Sequence, residues 1–165
     1  MTLPILTVAI RHEQDTVTVR QRSRQIARLL GFETQDQTRI AIAVSEIARN
    51  AFRYAGGGRA EFVIEGKTTP QLFLINITDD GPGIRNLQEI LDGKYTSNTG
   101  MGMGIVGARR RMDHFDIKSS GRGTRASLKK VFPRRAPLIG QEGLSQLTQA
   151  LAAEKPQDAF AGNGA

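Results

Sequence analysis

The sequence predicts an α+β domain, an antiparallel or mixed sheet covered on one face by helices. Two observations predict it. The elements run in the order strand, helix, helix, then strands with one further helix among them, a pattern of segregated helices and strands. The chain has 165 residues, 39% of them hydrophobic and 24% charged, and no cysteine. That length fits one domain able to bury roughly 70% of its unfolded surface, so the core needs no disulfide or metal to hold it.

Each element has a local reason. Residues 3–11 (LPILTVAIR) are strand-like and lead into a helix from about Asp15 to Leu30, where Val19, Ile26, Leu29 and Leu30 recur near helical spacing. Gly31 ends it. A second helix starts at Thr34 to Asp36 and runs to about Ala55, with Ile40, Val44, Ile47, Ala48 and Ala51 as its apolar stripe, before the run of glycines at 56–58. Two strands follow, Arg59 to Glu65 and Leu72 to Asp79, joined through Thr68-Thr69-Pro70 as a hairpin. By the period of two, Phe73, Ile75, Ile77 and Asp79 share one face of the second strand, so a carboxylate ends an apolar row. Burying it is costly unless something donates hydrogen bonds to it. Seven glycines then lie between Gly81 and Gly107, where average usage would supply about two. A helix from about Ile105 to His114 emerges from that stretch. The last two strands, Phe115 to Ser119 and Thr124 to Val131, flank a turn at Gly121-Arg122-Gly123. Residues 133–165 read as a tail or linker, with a marginal helix carrying Leu144, Leu147 and Leu151; the other reading is a docking helix for a partner.

Composition excludes several functions. Without cysteine there is no thiolate metal site and no Cys nucleophile. The longest apolar run, Ile40 to Val44, is far too short for a membrane span. Residues 1–10 lack the charged start and cleavage site of a signal peptide, so the expected location is the cytoplasm. The formal net charge is +7. Basic residues are scattered apart from Arg109 to Arg111, and aromatics make up only 5%. That is poor material for nucleic-acid binding, and the charge suits an acidic partner or a polyphosphate instead.

Three segments carry chemistry. Glu46 and Asn50 are four residues apart on one helical face, a carboxylate and an amide oxygen suited to a proton acceptor and a hard cation. Alone, that pair is better read as a solvated helical face. Asp79-Asp-Gly81-Pro-Gly83-Ile84 combines a carboxylate ending an apolar slot with glycines that let the backbone approach a ligand. Such a carboxylate can accept from the exocyclic amine of adenine, where guanine presents a carbonyl; a plain β-turn with a capping Asp is the alternative. Gly100-Met101-Gly102-Met103-Gly104-Ile-Val-Gly107 opens a helix, and bare N–H groups at a helix start form a phosphate cradle. Arg109 to Arg111 are expected to add positive field there. Lys67 does not belong to a P-loop, since position 61 is Glu where that motif needs Gly.

In this order the segments resemble the GHKL superfamily of ATPases and kinases, whose boxes read E-x-x-x-N, D-x-G-x-G and G-x-G-x-G, with a late Gly123-Thr124. Residues 1–132 look most like the RsbT-type serine/threonine kinases, relatives of the anti-sigma factors. The resemblance implies a two-layer Bergerat ATP-binding fold, with ATP between helices and sheet and Mg2+ as its metal. It implies Glu46 as the base and Asn50 as the Mg2+ ligand. Asp79 would read adenine with Thr124 in support, and Gly81, Gly83 and Ile84 would shape its pocket. Gly100, Met101, Gly102, Met103 and Gly104 would hold the phosphates, with 93–99 as a lid. Arg49 or Arg53 would contact phosphate or partner. The implied partners are a STAS-domain antagonist, which would be the substrate, and a PP2C-type phosphatase. Two other outputs stay open: a nucleotide-gated binding module with little transfer, and the catalytic domain of a histidine kinase. Two departures are the tail beyond Phe132, longer than the family's usual, and methionines at 101 and 103 where leucine is commoner.

Overall fold

The computed structural model describes residues 1–94 and 101–156. Five strands form one antiparallel sheet in the order β1-β2-β3-β5-β4: β1 (Thr2–Ile10), β2 (Gly58–Glu65), β3 (Leu72–Asp79), β4 (His114–Ser120) and β5 (Gly123–Val131). The helices are α1 (Glu13–Leu29), α2 (Thr34–Ala55), α3 (Leu87–Leu91), α4 (Met101–Arg111) and α5 (Gln141–Ala153). The α+β layering expected from element order is what the chain forms, with every strand pairing antiparallel.

Strand register explains the core. The face of β3 carrying Phe73, Ile75 and Ile77 is continued by Ile64, Phe62 and Ala60 on β2 and by Leu128 and Ala126 on β5. All eight are almost completely buried. The stripe of α2 lies across this face: Ile40, Val44, Ile47, Ala48 and Ala51 are all buried. Each of the buried Ile, Val, Leu and Phe side chains contributes on the order of 1.5–3 kcal/mol by leaving water. Phe32, Phe62, Phe73 and Phe132 form an aromatic cluster with centroids 5.8–6.2 Å apart. It closes the end of the layer remote from Asp79, about 20 Å away along β3.

The start of α1 is fixed by Asp15, whose Oδ2 accepts from the N–H groups of Arg11 (2.8 Å) and His12 (2.9 Å). Those two bonds favour the charged form and hold its carboxyl below the ordinary value.

Three elements differ from the sequence expectation. Helix α4 begins at Met101 rather than Ile105 and ends at Arg111, and His114 opens β4. The short α3 was not anticipated. The apolar stripe after residue 132 packs within its own chain: α5 lies on α1 and β1 with Leu147 and Leu151 buried and Leu144 partly so. Its end is tied down by Arg22 to the Leu151 carbonyl (3.0 Å), Gln25 to the Glu154 carbonyl (3.1 Å) and Arg28 to the Glu154 carboxylate (2.7 Å). The connection is pinned by the buried Gln71, which donates to the carbonyl of Ile139 (3.0 Å) and accepts its N–H (2.9 Å).

Candidate active site

At the Asp79 end of the sandwich the helix and sheet layers part. The cleft between them holds about 430 Å³ of empty space open to solvent. Its apolar walls are Ile47, Ala51 and Tyr54 of α2 with Ile77 and Ile117 of the sheet. Polar groups enter from Asn50, Asp79 and Thr124, and Pro82, Gly83 and Ile84 close the rim. The structure therefore brings together residues from two of the three motifs and the late Gly-Thr pair.

Asp79 is half-buried and its Oδ1 accepts from the N–H groups of Gly81 (3.0 Å) and Thr124 (3.3 Å). The second oxygen is left over by these bonds, on a side chain that lines the cleft. Burial pushes its carboxyl above the ordinary 3.8, against the pull of the two backbone donors, and Asp80 adds to the rise. The loop that follows is held by Ile84, whose N–H donates to Ser119 Oγ (2.7 Å). Gly83 has φ +86°, and a Cβ there would run into the carbonyl of Ser120. Both constraints require glycine.

Asn50 is the one cleft side chain whose buried polar atom the described residues leave unsatisfied. Its Nδ2 is buried without a hydrogen-bond partner among the described residues, a state natural folds avoid unless something else satisfies the group. The amide's oxygen and nitrogen occupy equivalent positions, so the same side chain can present its oxygen to a cation. No cluster of three or more acidic, His or Cys side chains able to hold a metal occurs among the described residues. That donor set fits Mg2+, which is commonly held by one or two protein oxygens plus phosphates, and does not fit an all-protein cage.

Glu46 lies one turn before Asn50, pairs with Arg49 at 3.4 Å, and faces the first turn of α4. A Cβ at Gly104 would come within 2.9 Å of its Oε2, so only glycine lets the helix and the carboxylate approach this closely. At the far end of α4, the buried Lys130 donates to the carbonyl of Arg111 (3.2 Å) and lies 3.5 Å from Asp113 and 3.8 Å from Asp36 at the start of α2. Helices α2 and α4 thus run antiparallel, and the N-terminal end of α4 opens toward Asn50. Free N–H groups at such an end attract anions.

Not every expected residue reaches the cleft. Gly102 is buried within α4, while Met103 is 80% exposed. Arg53 is exposed and is not among the cleft residues. Gly100, the side chain of Met101 and the lid positions 95–99 lie outside the described residues. Arg109 to Arg111 correct the expectation of a positive field at the phosphate end: they form the last turn of α4, about 12 Å from Gly102. There they complement the helix dipole, Arg111 donating to the Gly107 carbonyl at 3.0 Å. Sequence reasoning missed Tyr54, Ile117 and Ser119. Ser119 was within reach, since the hairpin turn places it opposite Thr124.

A profile of the histidine kinase-like ATPase domain matches residues 10–130. The chain belongs to that family. The likeness to RsbT-type kinases also holds: the chain is 38% identical to the serine/threonine-protein kinase RsbT of Bacillus subtilis over 118 residues, covering 71% of this chain and 89% of RsbT. The fold is shared with the crystal structure of the RsbU and RsbW domains of a Mycobacterium tuberculosis protein, with a TM-score of 0.56 and 18% identity. That match covers 85% of this chain and 35% of the longer one. No helix among the described residues is long and apolar enough to cross a membrane.

Proposed function

We propose that this protein is a Mg-ATP-dependent serine/threonine kinase that phosphorylates a STAS-domain antagonist in a cytoplasmic partner-switching pathway, with a PP2C-type phosphatase as a further partner. The observation that carries the reading is the orphaned Asn50 amide, one helical turn from Glu46, in the apolar-walled cleft that it lines together with Asp79. The 38% identity to RsbT gives the reaction class.

In this reading the apolar walls take the adenine ring, Asp79 accepts from its amine, and the N-terminal turn of α4 receives the phosphates. Asn50 would hold a magnesium ion through its amide oxygen, and that ion would supply positive charge to the phosphate oxygens. Glu46 accepts the proton of the incoming serine hydroxyl as that oxygen bonds to the γ-phosphorus, and the bond to the ADP oxygen breaks. The chain's work is positioning and charge placement, as in phosphoryl transfer generally. A pure nucleotide switch needs Asn50 and Asp79 but has no use for a carboxylate held against the phosphate helix.

The test is γ-labelled ATP incubated with this protein and the STAS-domain protein encoded nearest to it. Acid-stable label on a serine or threonine is expected. Absence of label with Mg-ATP bound and the two proteins shown to associate would overturn the kinase reading in favour of a nucleotide-gated module.

A further inference from the structure

Ser119 has no part in the reading above, yet it joins the two halves of the candidate adenine site. Its Oγ accepts the Ile84 N–H at 2.7 Å and lies 2.9 Å from Thr124 Oγ1. Asp79, Thr124 and Ser119 sit side by side across β3, β5 and β4 in strand register. We propose that Ser119 is a specificity-determining positioning residue: it fixes the proton of Thr124 so that the cleft offers a hydrogen-bond donor beside the Asp79 acceptor, a pair that fits 6-aminopurines and opposes 6-oxopurines.

The argument is one of proton direction. A hydroxyl has one proton to give and two lone pairs to receive with. Ser119 Oγ already receives from Ile84, and among the described residues its remaining contact is Thr124. If Thr124 donated to it, the Ser119 proton would be left to solvent at the open rim it shares with Asp79 and Thr124, and Thr124 would turn only lone pairs toward the cleft. With a bare ring nitrogen in the cleft, the arrangement that pairs every proton is the chain in which Ile84 N–H donates to Ser119, Ser119 donates to Thr124, and Thr124 donates to the ligand. Each bond in such a chain strengthens the next.

Thr124 and Asp79 both line the cleft, and the Thr124 N–H donates to Asp79 Oδ1. The edge therefore reads acceptor then donor. A 6-aminopurine presents the complement, an amine beside a bare ring nitrogen. A 6-oxopurine presents a carbonyl beside a ring N–H and mismatches at both positions, and leaving a site's polar groups unpaired is how strong rejection is achieved.

The inference rests on the adenine-site reading, so its test uses analogues that separate the two. Wild type and Ser119→Ala are titrated calorimetrically, in magnesium, with ATP, with the triphosphate of purine riboside (no amine) and with 1-deaza-ATP (a C–H in place of the ring nitrogen). In wild type each analogue should bind about tenfold or more weakly than ATP. In Ser119→Ala the 1-deaza loss should shrink to about threefold or less, while the loss from removing the amine, which reports Asp79, persists. Ser119→Thr should restore the wild-type pattern. Ser119→Cys, a weak donor filling the same space, should behave as the alanine variant and carries the test if that variant does not fold. An undiminished 1-deaza loss in both variants overturns the relay. A wild type that ignores the ring nitrogen but requires the amine overturns the relay and leaves Asp79 as the adenine reader. A wild type indifferent to both overturns the adenine site as well.

Discussion

Replacing Asp79 with asparagine should separate ligand affinity from stability, moving them in opposite directions. Asparagine keeps an oxygen for the N–H groups of Gly81 and Thr124, now at 3.0 and 3.3 Å, so the loop geometry survives. What changes is the second oxygen, replaced by an amide donor facing the donor amine of adenine. A hydrogen bond to a charged acceptor contributes about 1.5–3 kcal/mol, so Mg-ATP affinity should fall about ten- to a hundredfold. The stability effect has the other sign. Burial holds this carboxyl above its ordinary 3.8, so the folded chain binds that proton more tightly than the unfolded chain does. The wild-type fold therefore loses stability as pH rises from 3.8 through the raised value. A neutral side chain removes that loss, and the ligand-free variant should be at least as stable as wild type at pH near 7 and gain nothing at low pH. Calorimetric titration with Mg-ATP and urea unfolding at both pH values measure the two effects. Affinity within about twofold of wild type, or a variant less stable than wild type near neutrality, would refute the reasoning.

Further perturbations give distinct signatures. Asn50→Ala should remove the magnesium dependence of ATP binding; affinity that still rises on adding magnesium would contradict the ligand assignment. Gly104→Ala places a methyl 2.9 Å from Glu46 Oε2, a contact the flexible carboxylate can yield to. The melting temperature should then move little, while phosphotransfer drops about ten- to a hundredfold, the scale of a displaced catalytic group; unaltered turnover would show that Gly104 does not position Glu46. Leu147→Ala empties a buried site between α5 and the α1–β1 edge and should destabilise by about 2–5 kcal/mol in urea unfolding. Mg-ATP affinity of the folded protein should be retained, since Leu147 is remote from the cleft.

The fold was legible where periodicity is strong. The stripe of α2 and the alternation of β3 gave both the helix face and the strand face, and the Glu46 and Asp79 motifs could be placed on the right elements before any coordinates. The start of α4 was not legible for a physical reason. Glycine lowers helix propensity by about 1 kcal/mol per residue, so the stretch before Ile105 reads as loop. Burial of Ile105 and Ala108 and the close approach at Glu46 override that preference. Arg109 to Arg111 misled because closeness in sequence to the glycines was taken as closeness in space, whereas the intervening helix carries them to its opposite end. The docking of α5 depends on Gln71, 68 residues from its partner Ile139, and no local pattern announces such a contact. Tyr54 and Ile117 line the cleft only through the angle between α2 and the sheet, which tertiary packing sets.

The central claim is a division of labour on one face of α2, where Asn50 holds the metal and Glu46 takes the proton. The most direct measurement is single-turnover phosphotransfer from prebound Mg-ATP to the STAS-domain protein, comparing wild type with Glu46→Ala at matched nucleotide occupancy. The account predicts that the variant binds Mg-ATP as wild type does and transfers phosphate about a hundred- to ten-thousandfold more slowly, the range for loss of a general base. Transfer at the wild-type rate with Glu46 gone would contradict it.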